Sequence, residues 1–460
     1  MINDTIAAIA TPIGESAIGI VRLSGPDAVQ VAARVLKGPA PTAGKWEDRR
    51  MYYGYVWVKE TGEIVDEALF CYMGAPRSYT REDVVEINCH GGIVPLRKTL
   101  QLVLANGARM AEPGEFTKRA FLNGRLDLAQ AEAVIDLIRI KTERGLSMAV
   151  AQLQGALSDK INALKDRLLD LLAQIEVEND FPDEQHLPQL NRELRKTGAA
   201  VLDALEGLIN GAHLGIIFRD GVKAAIIGRP NVGKSSLLNA LLRQNRAIVT
   251  HVPGTTRDVI EETANIRGVP VCLMDTAGVR ETSDIVEIIG VQRTIEAIEQ
   301  VDLVLAIFDG SAPLSSEDRV ILKIIKDKKH LLLINKTDLG LDREFAQKFD
   351  KNKTPAPVIN LSVKSGAGIP ELEECIAATV LSGLSGRNED VLVTNIRHKA
   401  ALEKAAGYLR EALKGLAGGV PVDLVAIDLR EAWETLGEIT GAVVTEDLLE
   451  RIFRDFCVGK

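Results

Sequence analysis

The sequence feature that most constrains the fold is residues 228–235, which read GRPNVGKS and complete the pattern G-x-x-x-x-G-K-S. They follow an apolar run at 222–228 and precede a helical pattern that begins at Ser236. Glycines at these positions let backbone N–H groups wrap phosphates, and the helix N-terminus adds a partial positive charge. We expect Lys234 to reach the β and γ phosphates and the Ser235 hydroxyl to bind Mg²⁺. The segment therefore predicts a P-loop α/β domain that binds a nucleotide.

Three later segments specify the nucleotide. Residues 275–278 read DTAG, where the Asp275 carboxylate can hold Mg²⁺ through water and Gly278 can meet the γ-phosphate. Asp338, in the segment NKTD, can accept two hydrogen bonds from N1 and N2 of guanine, a pair that adenine lacks. A backbone N–H of residues 362–364 can meet the guanine O6. Each segment ends an apolar run, and ligands bind at the carboxyl ends of parallel strands. The pattern resembles the translation-factor-type GTPases and predicts GTP.

The group that acts on the attacking water has no single candidate in this pattern. Val279 stands where the small signalling GTPases place a water-orienting glutamine. Glu281, Asp284 and Glu287 are the acidic candidates downstream, and a solvated loop is the alternative for each.

The segment at 250–256, which reads THVPGTT, is rich in hydroxyl and carbonyl groups. We expect Thr256 to supply the second Mg²⁺ hydroxyl. Together with Asn231, this segment could hold a monovalent cation where other GTPases use an arginine finger.

Composition limits the classes of partner and compartment. The chain has 460 residues, 46% of them hydrophobic, which suggests about three domains. A formal charge of -9 argues against a general cationic coat for nucleic acid, although a local RNA-binding groove stays compatible with it. We find no export signal and no apolar run long enough for a membrane span, so we expect a cytoplasmic protein. The five cysteines contain no CxxC spacing, which disfavours a disulfide framework or a zinc ribbon.

The order of apolar patterns predicts the domain organisation. Residues 1–118 read as short strands and loops with one amphipathic helix between Pro95 and Asn106. Residues 119–220 read as helices, 221–383 as alternating strands and helices, and 384–460 as helices again. The buried strands expected in the third segment are 222–228, 271–275, 303–309, 331–335 and 358–361. Because domain termini are often close together, insertion of one domain into another is tolerated. We therefore expect the α/β unit to be inserted into one discontinuous helical domain.

Several further motifs carry a resemblance that covers essentially the whole chain. They lie at residues 4–12 (DTIAAIATP), 91–92 (GG), 113–124 (PGEFTKRAFLNG), 127–133 (DLAQAEA), 254–258 (GTTRD) and 457–460 (CVGK). With them, the chain resembles the MnmE (TrmE) family of tRNA-modifying GTPases. The resemblance implies a multidomain α+β and α/β fold: an N-terminal folate-binding-like α/β domain that dimerises, a discontinuous α-helical domain and an inserted Ras-like P-loop GTPase domain.

The resemblance also implies site residues. For a formyl- or methylene-tetrahydrofolate they are Arg22, Glu82, Arg125 and Lys460, with Arg125 standing where some members have lysine. For K⁺ they are Asn231, Thr250, Val252 and Thr255, and the acidic group that acts on water falls on Glu287, with Lys234 as the second catalytic residue. Together with the motifs above, the expected GTP contacts are Asn231, Val232, Gly233, Lys234, Ser235, Ser236, Thr250, His251, Val252, Pro253, Gly254, Thr255, Thr256, Asp275, Thr276, Ala277, Gly278, Asn335, Lys336, Asp338, Ser362, Val363 and Lys364.

The activity that the resemblance implies is tRNA modification. The family works as a homodimer with an FAD-dependent GidA-type (MnmG) partner, in a heterotetramer, to add an aminomethyl or carboxymethylaminomethyl group at C5 of the tRNA wobble uridine, position 34. A K⁺-stimulated GTP hydrolase that uses a tetrahydrofolate one-carbon unit is therefore our first hypothesis. A GTP-switched ribosome-assembly or RNA-binding factor is the alternative, although such factors usually append a basic KH-like domain or a second GTPase domain.

Cys457 lies near the end of the chain, and its role is left open. Taken alone, a cysteine on a short terminal segment is expected to be an inert residue in a frayed tail. A thiolate that adds to C6 of uridine would activate C5, and the partner flavoenzyme is the other candidate for the nucleophile. We therefore place Cys457 near the site. The pair Cys89 and His90, with no third ligand, is expected to be a strand end.

Overall fold

A computed structural model describes residues 4–38, 46–180, 187–245, 261–275, 298–349, 354–382 and 393–460. The chain divides into two compact units. Unit 1 contains residues 1–138, 151–201 and 407–460, and unit 2 contains residues 139–150 and 202–406. Helices precede and follow the α/β sequence of unit 2, and its insertion into one discontinuous helical domain stays a prediction. The individual domain boundaries at 118, 220 and 383 stay predictions.

Unit 1 contains a seven-stranded sheet in the order β3-β4-β5-β6-β2-β1-β7. Its strands are β1 (Ile6–Ile9), β2 (Gly19–Ser24), β3 (Leu36–Lys37), β4 (Met51–Trp57), β5 (Ile64–Met73), β6 (Val84–Cys89) and β7 (Arg109–Met110). Neighbours are antiparallel except β1 and β7, which pair in parallel. Residues alternate between buried and exposed along β4, as expected of a sheet with one covered face.

Two helices, α1 (Ala28–Val35) and α2 (Ile93–Ala105), contribute to the core of this sheet. Val31 of α1 and Leu96 of α2 lie in one buried cluster with Phe70 and Ile87 of the strands. The amphipathic pattern predicted α2, whereas β1 and α1 were not predicted. Cys89 ends β6 and is buried, which confirms its assignment to a strand end.

Helices make up the rest of unit 1 and continue into unit 2. They are α3 (Glu115–Leu122), α4 (Leu128–Arg139), α5 (Glu143–Leu153), α6 (Ala156–Asp180) and α7 (Leu187–Asp220). The helical stretch expected from 119 is interrupted, for example at Gly155, whose φ of 96° ends the preceding helix. By length and composition α7 could cross a membrane, but core helices of soluble proteins pass the same test, and 44% of its most apolar window is buried.

The C-terminal segment of unit 1 is held in place, which corrects the expectation of a frayed tail. The last three helices are α12 (Ile396–Ala417), α13 (Val422–Thr440) and α14 (Glu446–Arg454), and the chain returns to unit 1 at residue 407, within α12. Phe453 of α14 is buried with Leu128, and Val458 forms an antiparallel bridge with Pro113. A Cβ on Gly459 would lie 2.5 Å from the Ile9 carbonyl oxygen, so only glycine allows this approach.

Unit 2 is built around a six-stranded sheet in the order β13-β12-β11-β8-β10-β9. The strands are β8 (Val222–Ile227), β9 (Glu261–Ile266), β10 (Val269–Asp275), β11 (Leu303–Asp309), β12 (His330–Asn335) and β13 (Val358–Asn360). Five are parallel, and β9 pairs antiparallel with β10 at the edge. The five predicted buried strands are confirmed, and β9 was missed.

The helices of this unit cover both faces of the sheet. They include α8 (Lys234–Asn245), α9 (Ser316–Ile324), α10 (Arg343–Lys348) and α11 (Ile369–Leu381), with one 3₁₀ turn at Thr337–Leu339. Leu305 of β11 lies in one buried cluster, and Val304 lies in another. All of β11 is therefore buried, which explains its unbroken apolar sequence. The multidomain α+β and α/β prediction is confirmed.

Candidate functional site

The loop between β8 and α8 has the backbone that a phosphate-binding loop requires. Asn231 and Gly233 have φ values of 62° and 107°, in the left-handed region. A Cβ on Gly228 would collide with the carbonyl oxygen of Ile307, and one on Gly233 would collide with the side-chain amide of Asn335. Close packing therefore requires glycine at both positions, and the left-handed backbone requires it at Gly233 as well.

Lys234 is the first residue of α8, and its side chain lies against the phosphate loop. Its Nζ donates to the carbonyl oxygens of Gly228, at 2.9 Å, and Arg229, at 3.1 Å. Ser235 and Ser236 follow in the first turn of the helix, and both are exposed. A partly buried ammonium and an exposed hydroxyl thus lie together at a helix N-terminus, where an anion is stabilised.

Asn335, at the end of β12, joins the loops that surround the candidate site. Its Nδ2 donates to the Val232 carbonyl oxygen at 2.7 Å, and its Oδ1 accepts from the Val363 N–H at 3.1 Å. The residue is buried, so both hydrogen bonds are protected from water. Asn335 was expected as a GTP contact, and here it also connects the phosphate loop to the loop at 362–364.

Asp338 is exposed and is oriented by the neighbouring loop. The Ser362 hydroxyl donates to Asp338 Oδ1 at 2.7 Å, and Ser362 itself is buried. This contact brings the two predicted guanine segments together.

A cavity of about 570 Å³ lies between these segments. The predicted residues that line it are Asn231, Gly233, Ser236, Asn335, Lys336, Asp338, Ser362, Val363 and Lys364. Asn239 and Arg243 of α8 also line it and were missed. Their spacing of three and seven residues from Ser236 places them on one helix face, which is a signal that the sequence contains.

Several predicted residues cannot be located. Residues 250–256, 276–278 and Glu287 lie outside the described residues, and only the backbone of Asp275, at the end of β10, is described. Their roles stay predictions.

Asp309, at the end of β11, is a further buried carboxylate beside the site. Its Oδ2 accepts from Lys336 Nζ at 2.6 Å, and its Oδ1 accepts from the Ser311 hydroxyl at 2.6 Å. Burial raises the pKa of Asp309, but the hydrogen bonds from Lys336 and Ser311 outweigh it and hold the pKa below its usual range. No motif in the sequence pointed to this residue.

A second candidate site lies in unit 1 and is built on Tyr79. The guanidinium groups of Arg22 and Arg125 lie 6.0 Å and 4.7 Å from the centre of the Tyr79 ring. The Tyr79 hydroxyl forms a 2.8 Å hydrogen bond with Thr117. We call this group of Arg22, Tyr79, Arg125 and Lys460 the cationic pocket.

The end of the chain contributes Lys460 to this pocket. Arg22 donates to the Gly459 carbonyl oxygen at 3.3 Å and forms a 2.8 Å ion pair with Glu86. Burial and the neighbouring Arg22 charge lower the pKa of the Lys460 ammonium, although Glu86 opposes the shift. Cys457, three residues earlier, is exposed.

Glu82, the fourth residue implied for folate, is held by a buried arginine. Its Oε2 accepts from the Ser24 hydroxyl at 2.6 Å, and its Oε1 lies 3.2 Å from Arg119 Nη1. Arg119 is fully buried and also pairs with Asp4, at 2.7 Å, and with Glu115, at 2.9 Å. Arg119 was not among the predicted site residues, and its position in a helix gave no sign of this role.

Known proteins match this chain over its whole length. The family described as MnmE helical domain matches residues 128–457, and GTP-binding protein TrmE N-terminus matches residues 5–125. The tRNA modification GTPase MnmE of Desulforamulus reducens is 51% identical over 465 residues, and that of Alkaliphilus oremlandii is 48% identical over 467 residues, each covering 100% of both chains. Among solved structures, the G domain of the T. maritima FeoB iron transporter is 30% identical, covers 34% of this chain and 98% of that chain, and has a TM-score of 0.26.

These full-length matches agree with the P-loop geometry and with the motifs that frame one cavity at the ends of parallel strands. They identify a GTP-hydrolysing enzyme that acts in tRNA modification. The chain therefore belongs to the MnmE family of tRNA modification GTPases.

Proposed function

We propose that the chain hydrolyses GTP in the cavity of unit 2, with K⁺ stimulation, to drive formation of an aminomethyl or carboxymethylaminomethyl group at C5 of the tRNA wobble uridine. The reaction uses a tetrahydrofolate one-carbon unit and an FAD-dependent GidA-type (MnmG) partner. The observation that carries the proposal is the Asn335 side chain, which joins the phosphate loop and a guanine loop into one site.

Different residues of the described site contact the phosphates and the base of the nucleotide. Lys234, which donates to the loop carbonyls of Gly228 and Arg229, is the residue that would contact the β and γ phosphates. Asp338, oriented by Ser362, accepts from N1 and N2 of guanine, and this pair rejects adenine because adenine would leave the carboxylate unsatisfied.

The oxygen ligands in the loop suit both Mg²⁺ and K⁺. The exposed Ser235 hydroxyl is a hard oxygen ligand of the kind that Mg²⁺ prefers, with Thr256 as the second hydroxyl. Asn231, exposed and in a left-handed conformation, offers an amide oxygen for K⁺, with Thr250, Val252 and Thr255 as the other ligands. Bound Mg²⁺ and K⁺ supply positive charge where the transition state becomes negative. Glu287 acts on the attacking water.

The cationic pocket suits a folate. Lys460 and Arg22 are like charges held near each other, and burial together with the Arg22 charge lowers the pKa of the Lys460 ammonium. A folate carries carboxylates on its glutamate tail, which would offset that repulsion. Arg125 on Tyr79 adds a flat surface for a ring system, and Glu82 adds an acceptor for ring N–H groups.

Assembly completes the proposal. We place the protein in the cytoplasm as a homodimer that joins MnmG in a heterotetramer and acts on tRNA. The net charge of -9 makes tRNA binding by this chain alone weak and sensitive to salt, so the partner supplies much of the RNA surface.

Two measurements test the proposal. Mass analysis of wobble uridines in tRNA from cells that lack the protein should find the C5 modification missing, and an unchanged modification would exclude this function. GTP turnover should be faster in K⁺ than in Na⁺ at equal ionic strength, and equal rates would exclude the cation assignment. If ribosomal precursors accumulate while C5 modification persists, a ribosome-assembly factor is the better description.

A further inference from the structure

We propose that Asp309 is a positioning residue of the nucleotide site, which fixes the Lys336 side chain beside the base and links the base-binding loop to the phosphate loop. This inference rests on the proposed nucleotide site and goes beyond it, because Asp309 belongs to none of the nucleotide-binding motifs. It is not among the residues that line the cavity, so it acts through Lys336.

The carboxylate of Asp309 is held in one orientation. Its Oδ1 accepts from both the backbone N–H of Ser311, at 3.1 Å, and the Ser311 hydroxyl, at 2.6 Å. The Oδ2 atom is thereby directed to Lys336 Nζ, at 2.6 Å, which is the length of a strong charge-assisted hydrogen bond. Asp309 is 8% exposed, so water competes little for this bond.

Lys336 is constrained at both ends. Its backbone is in the left-handed region, with a φ of 64°, and its ammonium is bound to Asp309. The side chain lines the cavity between these two fixed points. A lysine normally loses substantial rotamer entropy when a ligand packs against it. Because Asp309 has already ordered this side chain, the cost of packing its methylene groups against a base is lowered.

Arg229, a residue of the phosphate loop, also lies near the Asp309 carboxylate. Its Nη2 lies 3.9 Å from Asp309 Oδ2, and its Nε lies 3.7 Å from Asp318 Oδ2. Both distances exceed those of hydrogen bonds, and Arg229 Nε is buried without a hydrogen-bond partner in the part of the chain that the structure describes. The attraction is therefore electrostatic, and among the described residues Lys336 is the one strong partner of Asp309 Oδ2. Asp309 thus lies between the loop that binds phosphate and the loop that binds the base.

The test is a double-mutant cycle on dissociation of a fluorescent GDP from the full chain. Asp309→Asn keeps the shape and removes the charge, and Lys336→Met keeps the stem and removes the ammonium. We expect each to speed dissociation about tenfold, and the double variant to be no faster than either alone. The matched control is Asp302→Asn, an exposed carboxylate at the other end of β11 that accepts from the Lys223 N–H, and it should leave the rate unchanged.

Two results would overturn the inference: an unchanged dissociation rate in Asp309→Asn, or an equal acceleration by that change in the wild-type and Lys336→Met backgrounds. The second would mean that Asp309 has a general structural role. If Asp309→Asn fails to fold, Ser311→Ala replaces it, since it releases Oδ1 from an exposed hydroxyl; we expect about a threefold faster dissociation that vanishes in the Lys336→Met background. A separate Asp338→Asn variant that still prefers guanine over xanthine would refute the proposed base site itself, whatever Asp309 does.

Discussion

The nucleotide cavity of unit 2 and the cationic pocket of unit 1 are assembled in different ways. The cavity is formed by short loops, each at the carboxyl end of a parallel strand, and its loops are joined mainly through backbone groups, as at Val232 and Val363. The cationic pocket collects side chains from both ends of the chain, Arg22 and Lys460, and the same unit contains a buried charge cluster in which Arg119 pairs with Glu82 and Glu115.

This difference shows where each site is vulnerable. The cavity depends on close approaches at Gly228 and Gly233 that leave no room for a Cβ, so added atoms should damage it most. Unit 1 depends on compensated buried charge at Arg119, so removal of one partner should damage it most, because a buried ion without its partner is costly. The predictions below test this contrast, in order of expected size.

The largest effect is expected for Arg119→Met. The change leaves Glu115 and Glu82 without a buried cation, so the free energy of unfolding should fall by about 3–5 kcal/mol. Chemical denaturation of the full chain measures it. The matched control is Arg109→Met, which removes a half-exposed partner of the same Glu115 and should cost about 1 kcal/mol or less. Equal losses in the two variants would contradict the importance of buried charge in unit 1.

The next effect is expected for Gly233→Ala in the cavity. The new Cβ would collide with the Asn335 amide at a φ of 107°, so the loop must shift and GDP affinity should fall about 100-fold, roughly 3 kcal/mol. Gly268→Ala is the matched control, because Gly268 also has a positive φ, 85°, with open space around it. It should cost about 1 kcal/mol of stability and leave GDP affinity unchanged. Titration with a fluorescent GDP measures both; similar affinities would mean that the glycine is not sterically required.

A smaller effect is expected for single cations of the cationic pocket. Lys460→Gln and Arg125→Gln should each weaken binding of 5-formyl-tetrahydrofolate about tenfold, because each removes one charged contact to the ligand. Isothermal titration calorimetry measures the affinity. Lys414→Gln, at an exposed lysine of the same unit, controls for the change of net charge and should have no effect. Unaltered binding in both pocket variants would remove the folate assignment.

The same contrast explains how much was predictable from sequence. The cavity could be predicted because the residues of each motif are contiguous and follow apolar strands that reveal their burial. The strand β9 was missed because Glu261–Ile266 is a polar edge strand, and Asp309 was missed because its partner lies in a different motif. In unit 1, nothing local relates Arg22 to Lys460 or Arg119 to Glu82, since only the folded topology brings them together. There the family resemblance, and not the residue pattern, pointed to the site.

The smallest expected effect is on the dependence of the free energy of unfolding on acidic pH. It distinguishes Glu115, a carboxylate of unit 1, from carboxylates of unit 2. Burial raises the pKa of Glu115, but hydrogen bonds from Arg109, the Glu112 N–H and Arg119 outweigh it and hold the pKa below its usual value of 4.5. A carboxyl whose pKa is lower in the folded state stabilises the protein above its unfolded pKa, and this contribution is lost as the pH falls toward the folded pKa. The contribution of Glu115 to the free energy of unfolding should therefore be present above pH 4.5 and decline below it. In Arg109→Met the decline should be shallower, because Glu115 loses the strongest of these hydrogen bonds, whereas Asp302→Asn in unit 2 should retain the wild-type slope. Denaturation series between pH 3 and 6 measure the slopes, and a wild-type slope in Arg109→Met would show that the acid sensitivity arises from other carboxylates, such as Asp309 beside the nucleotide cavity.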